Sequence, residues 1–309
     1  MYIGITSLSS RKAKKIYASP RLVGSNRHPY GTLRVSLDTV CIISRHHKFV
    51  NENDKIAQRK QNMKIAFLGT GHGIPTPVRS CSASLIEVAG AIYYVDGGAP
   101  IYERTEALGF DATKTRAVFT THAHGDHIGG IFQFADLINW AKKFAETKCR
   151  FFLTESGVVD LTARLVSSIT KPVDESRLAF HLAKTGEIYS DENIRVSYIP
   201  TRHLAVLDRP SYSILIEGEG KRILFSGDMS QHLAECDFPK EAYGDLDLFV
   251  CELAHFSVDE LAPYLEKTRA RKVAFNHVSP LGKYEEIASL KGKYPFEVLS
   301  PSDMDVISL

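Results

Sequence analysis

The sequence lacks the cysteine pattern that a disulfide-bonded protein requires. Its 309 residues include five cysteines, an odd number, and they are scattered with no CxxC pair. This distribution excludes a disulfide framework and is typical of free thiols in a reducing compartment. We therefore expect a cytoplasmic protein.

Long apolar runs are also missing. No stretch approaches the roughly 20 apolar residues that a membrane-spanning helix needs, and the first residues lack the order of a secretory signal. No internal repeat and no low-complexity segment occurs. With 44% hydrophobic and 24% charged residues, the composition is that of a globular protein with a substantial core. We expect no membrane partner.

Charge is distributed unevenly along the chain. Residues 1–62 carry 12 Lys and Arg against 3 Asp and Glu, a net of +9, whereas residues 63–309 carry 26 against 33, a net of −7. The basic segment shows no sustained helical or strand period, and an apolar strand, "KIAFLG", begins just after Met63. We expect a disordered N-terminal extension over 1–62, or a start codon placed too early, and a folded domain over 63–309. A targeting peptide and an RNA-binding arm are alternatives for the extension.

From residue 63 the pattern alternates between strands and helices. The strands are rich in β-branched and aromatic residues and are bounded by glycine, and "EGEGK" between two of them predicts a hairpin. Helices are predicted over about 131–146, 157–169, 258–270 and 284–293. The alternation predicts an α/β protein with two sheets packed face to face and helices outside.

Three histidines and an aspartate stand within six positions of "TTHAHGDHIGG". His122 and His124 are two apart, so they point the same way in an extended segment. Asp126 and His127 follow a glycine, where the chain can turn. Neutral imidazole and carboxylate are the usual ligands of zinc and similar divalent ions. The spacing therefore predicts a metal site, and four such side chains suit two ions better than one.

Three later strands end in further candidate ligands. His203 ends "IPTRH", Asp228 stands in "ILFSGDMS", and His277 stands in "VAFNHVSP". A single His or Asp at a strand end is more often a cap or a surface residue. Three of them in this order support one shared site.

This order of motifs resembles the metallo-β-lactamase superfamily over about residues 63–309. The resemblance implies a four-layer αβ/βα sandwich, with two mixed β-sheets flanked by helices and the metals at the sheet edge. It implies two divalent ions, with zinc favoured and manganese or iron as alternatives, and a hydroxide between them as the nucleophile. The first ion would take His122, His124 and His203, the second would take Asp126, His127 and His277, and Asp228 would bridge them.

The resemblance also implies roles for two aspartates. Asp126 would orient the hydroxide. Asp96, in "YYVDGG", would support the metal-binding loop through hydrogen bonds without touching the metals. His124 stands where members specialised for diiron redox chemistry tend to carry Glu, which favours hydrolysis.

Two further segments resemble ribonuclease Z and its short phosphodiesterase relatives. One is "FLGTGHGIPTPVRSC", and the other is "DLDLFVCELAHFS", which places His255 22 residues before His277. The resemblance implies that His255 is a general acid and that Glu252 orients it. A surface histidine at a helix start is the alternative interpretation of His255.

The sequence departs from ribonuclease Z in three respects. That enzyme has a long tRNA-clamping arm between the residues that match His203 and Asp228, but only 24 residues separate them here. Cys251 stands where that enzyme has His, and an acidic domain suits a long polyanion poorly. The favoured prediction is a phosphodiesterase for a small phosphodiester, such as a cyclic nucleotide or a cyclic sugar phosphate, with no long nucleic acid as partner. The relatives also imply a homodimer.

Other functions stay open at this point. The same metal core serves lactonases and thioesterases, and a tRNA 3′-processing endonuclease or a non-catalytic metal-binding protein are minor alternatives. Arg79, Arg202 and Arg209 are candidate anion contacts or plain surface charges. His72, in the glycine-rich loop, either approaches the metals or only turns the chain.

Overall fold

The structure is a computed structural model that describes residues 63–309, apart from the side chains of Glu235 and Cys236. The expected N-terminal extension, residues 1–62, lies outside the described residues. In the described part, fourteen strands form two mixed seven-stranded sheets.

The first sheet combines antiparallel and parallel pairs. Its strands are β1 (Lys64–Gly69), β2 (Ala83–Val88), β3 (Ala91–Val95), β4 (Thr115–Phe119), β5 (Cys149–Leu153), β6 (Leu178–Leu182) and β14 (Val306–Ser308). Their order is β14–β1–β2–β3–β4–β5–β6. The pairs from β14 to β3 are antiparallel, and those from β3 to β6 are parallel.

The second sheet repeats this arrangement. Its strands are β7 (Gly186–Ser190), β8 (Arg195–Pro200), β9 (Tyr212–Gly218), β10 (Lys221–Phe225), β11 (Leu248–Leu253), β12 (Lys272–Val278) and β13 (Glu297–Leu299). They lie side by side in chain order. The pairs from β7 to β10 are antiparallel, and those from β10 to β13 are parallel.

Helices cover the outer face of each sheet. Those of the first sheet are α1 (Ile101–Ala107), α2 (Gly125–Ile128), α3 (Ile131–Trp140) and α4 (Ser156–Ile169), and those of the second are α5 (Val258–Leu265) and α6 (Lys283–Ser289). One apolar cluster lies between the sheets, and each helical layer packs on its own sheet through a separate cluster. The predicted αβ/βα sandwich is confirmed.

Three helices end earlier than the sequence pattern predicts, among them the one expected over 284–293, which spans Lys283–Ser289. The helix expected over 131–146 ends at Trp140, because the chain turns there and buries Phe144 against Phe134, 6.1 Å between ring centroids. The helix expected over 258–270 ends at Leu265, since the amide N–H of Arg269 next donates to the carbonyl of Ala242. Among the described residues, no helix is long and apolar enough to cross a membrane.

The segment before β14 returns to the glycine-rich loop after β1. The Asp303 carboxylate accepts hydrogen bonds from the Thr70 and Ser80 amides at 2.9 and 2.7 Å, and from Arg104 at 2.8 Å. β14 then pairs with β1. Residues far apart in the sequence therefore close one edge of the first sheet.

Gly98 allows the backbone of α2 to lie in direct contact with the chain after β3. A Cβ atom at Gly98 would lie 1.7 Å from the backbone carbonyl oxygen of Asp126, and backbone there cannot move aside cheaply. The neighbouring Gly97 amide donates to the His127 carbonyl at 2.7 Å. The two glycines thus let the loop that carries the histidine motif rest directly on the chain after β3.

We expect Gly98→Ala to lower the free energy of unfolding by about 1–3 kcal/mol, because the added methyl group must displace the Asp126 backbone. It should also weaken zinc binding. Chemical denaturation and zinc titration measure the two effects. Gly157→Ala is the matched control, since a Cβ atom there meets nothing within 4 Å. Equal behaviour of the two variants would contradict this account.

Candidate metal centre

The predicted ligands lie where strands of both sheets end. β4 leads to the histidine motif, and β8, β10 and β12 lead to or carry the later candidates. His124 is extended, with φ −73° and ψ 150°, and the chain then turns into α2, which carries Asp126 and His127. Extended backbone followed by one helical turn aims side chains from six consecutive positions at the same volume.

Asp228 occupies the centre of this group. Its Oδ2 atom lies 3.4 Å from His127 Nε2, 3.7 Å from His122 Nε2 and 3.8 Å from His203 Nε2. Its Oδ1 atom lies 3.5 Å from His277 Nδ1. One carboxylate therefore faces histidines from both predicted ligand groups, as a bridging ligand would.

The structure brings together all seven predicted ligands. The side-chain nitrogens of His122, His124 and His203 lie within 4.8 Å of one another. A second set within the same limit is Asp126, His127 and His277. In the second set, Asp126 Oδ2 is 3.1 Å from His277 Nε2. These are the two groups that the sequence predicts, and their roles as ligands stay predictions.

Four buried side-chain atoms of the cluster have no hydrogen-bond partner among the described residues. They are His122 Nε2, His127 Nε2, His277 Nδ1 and Asp228 Oδ1. Buried polar atoms are nearly always satisfied, because an unpaired one costs about 1–3 kcal/mol. Four such atoms around one small volume, all imidazole nitrogen or carboxylate oxygen, match the ligand preference of zinc and related cations. The residues present therefore fit a metal site.

The electrostatics of the metal-free cluster favour the ligand forms of His122, His203 and Asp126. His127 differs, because burial lowers its pKa but the charges of Asp228 and Asp96 outweigh burial and raise the pKa well above its usual value. Burial lowers the pKa of His122 well below its usual value and also lowers the pKa of His203. Burial raises the pKa of the Asp126 carboxyl, but hydrogen bonds from His127 and His277 outweigh it, so the net shift is downward. Neutral imidazoles beside an ionised carboxylate form the donor set that a divalent cation binds.

Asp96 holds the histidine loop through hydrogen bonds to Thr121 and His127. Its Oδ1 atom accepts a hydrogen bond from the Thr121 amide at 2.8 Å, and its Oδ2 atom lies 2.7 Å from His127 Nδ1. A proton on His127 Nδ1 leaves Nε2 free to face the cluster, which is how such carboxylates set the tautomer of a metal-binding histidine. The Thr121 hydroxyl also donates to Asp96 at 3.0 Å. The sequence offered no signal for Thr121 beyond its place before His122.

Glu252 and His255 form a hydrogen-bonded pair at the edge of the cluster. His255 Nδ1 lies 2.9 Å from Glu252 Oε1, and His255 Nε2 lies 3.9 Å from Asp228 Oδ2. Burial lowers the pKa of His255, but the hydrogen bond and charge of Glu252 outweigh it, so the net shift is upward. The Glu252 carboxylate therefore favours the protonated form of His255.

Of the other candidates, His72 lies beside the cluster, whereas Arg79 and Arg209 bind other parts of the protein. The ring of His72 lies 6.4 Å from that of His277, so His72 borders the cluster. Arg79 donates to the Thr70 hydroxyl and to the Pro301 carbonyl, both at 2.6 Å, and Arg209 binds the Glu155 carboxylate. These contacts give both arginines structural roles.

A second aspartate that the sequence pattern missed ties two ligand loops together. The Asp237 carboxylate accepts hydrogen bonds from the Arg202 amide at 2.8 Å and from the Ser230 amide at 2.6 Å. These amides neighbour the candidate ligands His203 and Asp228. The segment between those two ligands contains the β9–β10 hairpin, as the sequence predicts.

Comparison with known proteins agrees with this geometry. Residues 63–294 match the family described as Anti-Pycsar protein Apyc1. The chain belongs to this family. It is 24% identical over 179 residues to ribonuclease Z from Mycolicibacterium paratuberculosis, a match that covers 54% of this chain and 62% of that protein. Less than two thirds of that relative is therefore matched.

Solved structures share the fold. The metallo-β-lactamase fold protein YhfI from Bacillus subtilis aligns with a TM-score of 0.64 and 16% identity, over 81% of this chain and 100% of the other. The short form of human tRNase Z aligns with a TM-score of 0.61 and 19% identity, over 79% and 98%. The predicted membership of the metallo-β-lactamase superfamily, near ribonuclease Z, is confirmed. The chain therefore has the metallo-β-lactamase fold.

We expect Asp96→Asn to weaken zinc binding by about 10–100-fold, because an amide cannot accept from both Thr121 and His127 Nδ1 as the carboxylate does. Competition with a chelating dye measures the affinity. Asp191→Asn is the matched control, since Asp191 is a half-buried carboxylate that accepts from the Tyr93 and Tyr189 hydroxyls. If both variants lose zinc affinity equally, the loss reflects general destabilisation and the supporting role of Asp96 is wrong.

Proposed function

We propose that this chain is a metal-dependent phosphodiesterase for a small phosphodiester, such as a cyclic nucleotide or a cyclic sugar phosphate. The observation that carries the proposal is the pair of Glu252 and His255 at the cluster, with His255 Nε2 3.9 Å from Asp228 Oδ2. Residues 63–309 form the domain that carries the activity.

A phosphodiester makes two chemical demands that this arrangement meets. Charge on the phosphoryl oxygens must be offset, and the departing alkoxide needs a proton. In its imidazolium form, His255 donates its Nδ1–H to Glu252, and its Nε2–H can be given to a leaving oxygen at the cluster. Because Glu252 also accepts the Met229 and Ala254 amides, at 2.9 and 2.8 Å, it stays fixed while His255 gives up the proton.

The seven-residue donor set is proposed to hold two divalent cations, with zinc favoured. His122, His124 and His203 would hold one, and Asp126, His127 and His277 the other, with Asp228 shared. Two cations there would supply the Lewis acidity that ionises a water nucleophile and offsets phosphoryl charge. Asp126 would also orient the nucleophile, since its carboxylate stands at the rim of the second set.

A small substrate is favoured over a long nucleic acid. A compact hairpin, β9–β10, lies between His203 and Asp228, and residues 63–309 carry a net charge of −7. An acidic surface repels a polyanion over its whole length but a single phosphate only locally. We also propose for this chain the anti-Pycsar role that names its family. The homodimer and the cytoplasmic location stay predictions.

The number of ions is tested by metal analysis of the dialysed protein. We expect two zinc ions per chain in the wild type and a loss of at least one in Asp228→Ala, because both ligand groups face this carboxylate. His232→Ala is the control, since this exposed histidine pairs with Glu260 outside the cluster. A single ion in the wild type would overturn the dinuclear proposal.

The activity is tested with two phosphodiesters that differ in leaving group. We expect the metal-loaded wild type to hydrolyse both a cyclic nucleotide and bis(4-nitrophenyl) phosphate, and a chelator to abolish both reactions. His255→Ala should lower kcat for the cyclic nucleotide by about 10²–10⁴-fold, since its alkoxide needs a proton. The loss for bis(4-nitrophenyl) phosphate should be smaller, because nitrophenolate leaves unprotonated.

His181→Ala is the matched control for this test, since that exposed histidine stacks on Phe152, 5.2 Å between ring centroids, outside the cluster. If the wild type is inert towards phosphodiesters but cleaves lactones or thioesters, and His255→Ala is harmless, the carbon-ester alternative replaces the proposal.

A further inference from the structure

Lys283, the first residue of α6, points its ammonium group into the loop that carries His255. The residue is only 9% exposed. Its Nζ atom donates to the carbonyl oxygens of Leu253 at 3.0 Å, Ala254 at 3.4 Å and Phe256 at 2.6 Å. Lysine is rarely buried unless its charge is compensated. Here three backbone carbonyl groups, two before His255 and one after it, supply that compensation.

Glu252 binds the opposite set of groups in the same loop. Its Oε2 atom accepts the Ala254 amide at 2.8 Å and the His255 amide at 3.3 Å, while its Oε1 atom binds the His255 ring. The Glu252 carboxylate thus accepts hydrogen bonds from N–H groups of the loop, and the Lys283 ammonium donates hydrogen bonds to its C=O groups. The two charges fix both faces of a short irregular segment that neither sheet nor helix would hold.

No carboxylate among the described residues lies within ion-pair distance of Lys283. An ammonium has three protons, and the three carbonyl oxygens use them all. The group therefore has no proton left for a substrate phosphate. Burying a cation without an ion-pair partner is costly. We therefore infer that Lys283 acts on the site through the loop whose carbonyl groups it binds.

We propose that Lys283 is a positioning residue that sets His255 to protonate the leaving group. This rests on the proposed phosphodiesterase function. Without the ammonium, the carbonyls of Leu253, Ala254 and Phe256 would need other partners, and the loop would move. A general acid displaced by about 1 Å loses much of its effect, on the order of 10²-fold.

The experiment compares Lys283→Met, which keeps the length of the side chain, with Lys221→Met. Lys221 pairs with Asp247 at the start of β10 and is the matched control. Each variant is tested for hydrolysis of a cyclic nucleotide and of bis(4-nitrophenyl) phosphate, alone and combined with His255→Ala. Hydrogen exchange of the metal-free protein reports on the backbone over residues 253–257 independently of activity.

We expect Lys283→Met to lower kcat for the cyclic nucleotide by about 10–100-fold and to affect bis(4-nitrophenyl) phosphate much less. The double variant with His255→Ala should be no slower than His255→Ala alone, because both changes remove the same proton donor. Amides over 253–257 should exchange faster in Lys283→Met than in Lys221→Met.

Equal losses on both substrates, an additive double variant, or unchanged exchange over 253–257 would each overturn the proposal. If the wild type hydrolyses neither diester, the proposed function itself fails. The exchange data would then decide alone whether Lys283 holds the loop.

Discussion

One buried carboxylate governs the arrangement of the whole site. Asp228 lies within 4 Å of nitrogen atoms from five histidines, and these come from both sheets. A buried negative charge is tolerated only when positive charge or hydrogen-bond donors surround it. The sandwich provides them by bringing the ends of strands from two sheets to one edge. The buried charge of Asp228 is therefore compensated only when the two sheets are packed together.

Two neighbouring imidazoles, the proposed ligand His203 and the proposed acid His255, stand in different electrostatic surroundings. The rings of His203 and His255 are 4.6 Å apart, yet burial lowers the pKa of His203 whereas Glu252 raises that of His255. The difference lies at Nδ1, which is 3.3 Å from the Met229 carbonyl in His203 and 2.9 Å from the Glu252 carboxylate in His255. Titratable groups pushed apart in this way mark distinct chemical roles.

The sequence predicts the parts of the site that depend on local spacing. The run from His122 to His127, and single ligands after apolar strands, are visible because strand ends and turns are local properties. Lys283 was not predictable, since "PLGKYEE" reads as a polar helix start, and only the approach of α6 to the loop after β11 buries it. The edge strands β7, β13 and β14 were not predicted, because strands of three to five residues carry too weak a period. Helix ends differed where tertiary contacts such as that of Phe144 outweighed helix propensity.

The position of β14 has a consequence for how the protein is made. This strand belongs to the first sheet but is synthesised after every strand of the second. The Asp303 segment before it also fixes the glycine-rich loop beside the cluster. A nascent chain on the ribosome thus cannot close its first sheet until the second has emerged. The first sheet therefore gains its edge strand only from the last residues of the chain, which couples the completion of the two sheets.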